Sequence, residues 1–124
     1  MLLAPAMNIR HYTPADREAC LELIRSNTPE HFSPAEEAEL ARFLDALPGP
    51  YFVVEDGGRI IASGGIAGER DGITATLCWG MVDASRQRAG VGSKLLAHRL
   101  ESFLAEHPQI RQLQTHTTQK VQGF

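Results

Sequence analysis

Apolar residues along this chain change their spacing several times, and each change marks a new element. Asn8 to Tyr12 alternates like a short strand. Thr13-Pro14-Ala15-Asp16 then reads as a helix start: Thr13 suits the cap, Pro14 the first helical position, and Asp16 the positive end of the dipole. Ala19, Cys20, Leu23 and Ile24 follow at helical spacing. Ser33-Pro34-Ala35-Glu36 repeats the device with capping-box spacing, and Leu40, Phe43, Leu44 and Leu47 give the second helix one apolar face. Pro48-Gly49-Pro50 stops it.

From there the period drops to two. Tyr51 to Glu55 is aromatic and β-branched, Asp56-Gly57-Gly58 is a tight-turn signal, and Arg59 to Ile66 reads as the returning strand. Gly64-Gly65 inside it predicts a bulge or a close backbone approach. After the Asp71-Gly72 turn, Ile73 to Val82 is a third strand, with Ile73, Ala75, Leu77, Trp79 and Met81 expected on one face. Helical spacing returns with Val91, Leu95, Leu96, Leu100, Phe103 and Leu104 on one side, ending at His107-Pro108. Ile110 to Thr117 reads as a last strand, and Lys120 to Phe124 as the start of a further helix. The predicted order is β-α-α-β-β-β-α-β. A strand, a helix and a strand in succession imply a crossover to a parallel neighbour, so the fold class is α+β, a mixed α/β sandwich.

A length of 124 residues suits one domain, 1–124, with residues 1–6 a loose extension rather than a signal peptide. The formal net charge of -3 removes any bulk electrostatic case for nucleic acid. No stretch approaches the roughly 20 apolar residues of a membrane helix, so no membrane partner is expected. Cys20 and Cys78 show neither metal spacing nor a disulfide framework; no metal and a reducing, cytoplasmic location are expected.

The chemistry concentrates at Ser85-Arg-Gln-Arg-Ala-Gly-Val-Gly-Ser-Lys-Leu-Leu96. A strand that runs through a glycine turn into a helix leaves backbone N–H groups unpaired, and such ends bind anions, phosphates above all. Gly90 and Gly92 would admit a ligand close to the backbone or supply a positive φ. Arg86 and Arg88 add charge suited to phosphate, Gln87 a neutral donor and Ser93 a hydroxyl. A plain packing turn accounts for the same glycines. The stretch does not match the P-loop, and the meander before it does not match a dinucleotide-binding unit.

Gln87-Arg88-Ala89-Gly90-Val91-Gly92 resembles the Arg/Gln-x-x-Gly-x-Gly/Ala signature of the GNAT superfamily of acyl-CoA-dependent N-acyltransferases, and the element order from Asn8 to Phe124 is similar to that family's. The resemblance implies a coenzyme A or acetyl-CoA site. Backbone N–H groups of Gln87, Arg88, Ala89, Gly90, Val91, Gly92 and Ser93 would cradle the pyrophosphate. Met81 and Val82 would offer backbone to the pantetheine arm, and Thr118 stands where many members carry an asparagine. Met81 or Val82 would also serve the thioester carbonyl. The implied activity is N-acetyltransfer to a primary amine of a small molecule or peptide, by direct attack with no covalent enzyme intermediate; a non-catalytic acyl-CoA binder or degenerate partner subunit is the alternative. Ile73 to Val82 carries no carboxylate, so the base candidates are Glu69, near the preceding turn, and His116, on the last strand. Against the family pattern the chain lacks the final helix and hairpin, and a homodimer is expected to cover the edge so left.

Overall fold

The computed structural model describes residues 7–87 and 89–115. Strand β1 (Met7–His11) leads through a 3-10 turn at Pro14–Asp16 into α1 (Arg17–Ser26), followed by α2 (Pro34–Asp45). Strands β2 (Tyr51–Asp56), β3 (Arg59–Gly68) and β4 (Thr74–Val82) come next, then α3 (Val91–Glu106) and β5 (Gln112–Thr115). The sheet order is β1-β2-β3-β4-β5, with the first four strands antiparallel and β5 parallel to β4. This is the mixed sandwich expected from the alternating periods. Among the described residues, no helix is long and apolar enough to cross a membrane.

Local signals start the helices where they were read. The Asp16 carboxylate accepts the Thr13 N–H at 2.9 Å, and that of Glu36 accepts the Ser33 N–H at 2.8 Å. Asp16 is buried and also receives two Arg10 bonds of 2.8 Å each, which tie β1 to the start of α1. On one face of the sheet, Cys20, Leu23 and Ile24 of α1 and Leu40 and Leu44 of α2 pack with Tyr51, Val53 and Trp79. Each aliphatic side chain so buried contributes roughly 1.5–3 kcal/mol. On the other face, Val91, Leu95 and Phe103 of α3 cover Phe52, Ile61 and Ile66.

Two expectations are corrected here. The residues Ile73, Ala75, Leu77, Trp79 and Met81 do not share a face. Ala75 and Leu77 pack under α3, whereas Trp79 and Met81 lie in the core beneath α1 and α2. The register slips from Ser63↔Met81 to Gly65↔Cys78, so Trp79 and Gly80 both stand opposite Gly64. That is a β-bulge, and an inserted residue turns the rest of the strand over. Trp79 takes a φ of 45°, rare for a bulky residue. The second correction concerns α3. Its buried row is Val91, Leu95, Arg99 and Phe103, while Leu104 is exposed. An arginine occupies a core position.

Candidate functional site

The turn between β4 and α3 has the geometry of an anion site. Gly90 caps α3 with φ 82°, a left-handed conformation that a side chain strains. A Cβ on Gly90 would meet nothing within 4 Å, so the dihedral and not crowding demands glycine there. No side chain caps α3 and no acidic residue stands in its first turn. The first helical N–H groups, Val91 to Ser93, have no acceptor within the helix and lie at its positive end. Ala89, Gly90 and Ser93 are exposed, while the Val91 side chain is anchored in the core.

Gln87 and Arg86 work inward rather than outward. The Gln87 amide donates to Asn27 Oδ1 at 2.6 Å and to the Val82 carbonyl at 3.3 Å. Asn27, buried at the end of α1, donates to the same carbonyl at 3.0 Å and to Leu23 O at 2.9 Å. Arg86 pairs with Asp56 at 2.6 Å across the β2–β3 hairpin, so its charge is held rather than mobile. These contacts fix the turn on three elements. Arg88, His116 and Thr118 lie outside the described residues.

Beside the turn, β4 has one edge that no described residue pairs past Leu77. Among the described residues β5 pairs only with Thr74 to Leu77. The Asp83 N–H donates to Ile61 O at 2.8 Å, and Met81 sits opposite Ser63. Peptide groups of successive residues in an antiparallel pair face opposite ways. Met81 therefore faces β3, while Val82 faces the β5 side. The Val82 carbonyl is taken by Asn27 and Gln87, and among the described residues Val82 has no β5 partner. Tyr51, wholly within the core, donates its hydroxyl proton to the Trp79 carbonyl at 3.0 Å and so pins the bulge.

Glu69 does not simply face solvent from its turn. One oxygen accepts a short bond from the Thr76 hydroxyl, and Thr76 accepts from Gln114 of β5 at 2.9 Å. This places Glu69 over the sheet face shared with α1 and α2. Thr76 precedes Trp79 by three residues, about 10 Å along the strand, so the carboxylate bonded to it stands well short of the bulge. Cys78 is buried, and desolvation pushes its thiol up to about 11, which keeps it protonated.

Sequence reasoning passed over Asn27, Gly80 and Arg99. Asn27 and Gln87 are 60 residues apart, and nothing local announces their bond. Gly80 had a signal, a glycine late in an apolar strand, of the same kind that drew notice at Gly64-Gly65. Arg99 stands at helical spacing from Val91, Leu95 and Phe103, yet a charged residue is not counted in an apolar row.

A sequence profile described as the acetyltransferase (GNAT) family matches residues 17–122. No curated protein matches the chain in sequence. An acetyltransferase of the GNAT family from Desulfovibrio desulfuricans superposes with TM-score 0.72 at 20% identity, over 82% of this chain and 68% of that one. A GNAT family acetyltransferase from Brucella melitensis, solved with acetyl-CoA, gives 0.67 at 21% over 82% and 71%. The ribosomal-protein-S18-alanine N-acetyltransferase of Escherichia coli gives 0.67 at 22% over 82% and 61%. At these identities the likeness establishes the fold.

Proposed function

Because the chain belongs to the acetyltransferase (GNAT) family, we propose that it transfers an acetyl group from acetyl-coenzyme A to a primary amine of a small molecule or peptide by direct attack. The observation that carries this reading is the N-terminus of α3, without a side-chain cap and behind a left-handed Gly90, set beside the β4 edge that no described residue pairs past Leu77. Backbone N–H groups of Val91, Gly92 and Ser93 bind the pyrophosphate, with Ala89 and Gln87 shaping the approach. The Val82 N–H holds the pantetheine arm. The Gly80 N–H, at the bulge, would receive the thioester carbonyl oxygen as it gains charge. Acetyl-coenzyme A, when bound, would supply the activated acyl carbon.

Glu69 takes the amine proton through water, and His116 is the other candidate base. Cys78 stays a protonated thiol and forms no acyl intermediate. The absence of a carboxylate from β4 itself supports a second reading, a CoA-binding subunit without activity. The protein works in the cytoplasm, and two copies associate through the side of the sheet where Leu113 is exposed.

Calorimetry with CoA and acetyl-CoA tests the binding step; no heat and no thermal stabilisation at millimolar ligand would sink it. Thiol release from acetyl-CoA against a panel of amines, including peptide N-termini, separates the enzyme from the silent binder. Sedimentation tests the association.

A further inference from the structure

Arg99 is 1% exposed and occupies an aliphatic seat on α3. Its guanidinium lies against two glycines. A Cβ on Gly64 would stand 3.0 Å from Cζ and Nη1, and one on Gly80 would stand 3.1 Å from Nη2. Nη1 donates to Gly65 O at 3.0 Å, while Nε has no partner. Among the described residues no carboxylate pairs with Arg99. The titratable groups that act on its charge are Tyr51 on β2 and Cys78 on β4, across the sheet, and burial pushes both upward, so both are neutral at neutral pH. Glu69, which acts on Cys78, is bonded to Thr76. An apolar side chain would fill this space without burying a charge. The guanidinium therefore stands without its anion.

Position says which anion comes. Arg99 follows Gly90 by nine residues, roughly 13 Å along the helix axis, comparable with an extended pantetheine arm. Nη2 lies against the α3 side of Gly80, three residues past Leu77, where the described pairing of β4 with β5 ends. An arm held at the α3 turn and at Val82 ends beside it. Resting on the function proposed above, we infer that Arg99 is the counter-charge for the coenzyme A sulfur as acyl transfer releases it. The amine nitrogen bonds to the carbonyl carbon and the C–S bond breaks. Its electron pair stays on sulfur as a thiolate, and the amine proton leaves through water to Glu69. The guanidinium donates hydrogen bonds but no proton, and the thiolate takes a proton from solvent on release.

The bound thiol itself reports this, without any acceptor amine. CoA is bound to the full-length protein and its thiolate absorbance is followed against pH. The thiol of bound CoA is expected to ionise at least one pH unit below that of free CoA. Arg99→Met is expected to abolish the shift while CoA affinity changes less than threefold, and Arg99→Lys to retain part of it. Gly80→Ala, which crowds Nη2, gives an independent variant with a diminished shift. An unshifted thiol in the native protein, or an equal shift in Arg99→Met, overturns the inference and leaves the function standing. Failure to bind CoA at all overturns both. Tenfold tighter binding of succinyl-CoA than acetyl-CoA, lost in Arg99→Met, would show that the guanidinium serves an acyl carboxylate instead and would overturn the thiolate role.

Discussion

Asp16 and Arg99 are both charged and both buried, and they are treated in opposite ways. Asp16 is met by two Arg10 nitrogens, by the Thr13 N–H and by the Thr13 hydroxyl. Arg99 has one carbonyl and an idle Nε. A charge with all its partners inside the chain is a fastener. A charge left short of partners in a well-packed layer lowers stability, and its use lies in what arrives. The same contrast separates the two ends of the molecule. The β1–α1 junction meets its buried charge in full, and the β3–β4–α3 layer leaves Arg99 Nε without a partner among the described residues.

Substitutions can break this contrast. The largest expected effect is on Asp16: Asp16→Asn removes charge-assisted bonds and should cost about 2 kcal/mol, read as a lower urea midpoint with unchanged slope. Arg99→Met should act in the opposite direction and raise stability by about 1–2 kcal/mol, because an uncompensated buried charge gives way to an apolar side chain. A loss there would mean that the arginine is an internal fastener after all. Gly90→Ala forces a side chain into a left-handed dihedral and should cost about 1 kcal/mol. It should also weaken CoA binding in calorimetry, which a change remote from the turn would not do.

The smallest effect is acid dependence. Arg10 holds the Asp16 carboxyl below its ordinary value, as bonds from Arg10 do for Glu55. A depressed carboxyl contributes stability that is whole above the unfolded value, about 3.9 for aspartate. That contribution is lost as pH falls through the folded value. Acid titration of stability should therefore steepen below about pH 4 in the native protein and be flatter in Asp16→Asn. Equal acid slopes in the two proteins would remove the Arg10 pair as its source.

What could be read from the sequence was what depends on near neighbours. Thr13 and Asp16, Ser33 and Glu36, Asp56 to Gly58, and the Gly90 turn each settle within a few residues, and each stands where it was expected. The parallel β4–β5 pair followed from crossover length alone. The face change at Trp79 could not be read, because strict alternation looks the same on paper whether or not a residue is inserted. Arg99 escaped for a related reason: its seat is set by glycines on two strands, Gly64 and Gly80, which no helical period contains. Of the candidate site, the helix end was legible and its ties to Asn27 and Asp56 were not.

The bulge has a consequence for how this chain tolerates change in length. Up to Leu77, β4 keeps step with α3; from Cys78 to Met81 its core residues keep step with α1 and α2. The strand is a splice between two reading frames of the sheet, and Trp79-Gly80 is the join. Removing one residue at the join would restore a regular ladder with Met81 still opposite Ser63, but it would take away either the Trp79 side chain from the core or the glycine that makes room for Arg99. A local improvement in pairing would thus undo the packing on one face or the other, and the irregular step is the part of the strand that cannot be tidied.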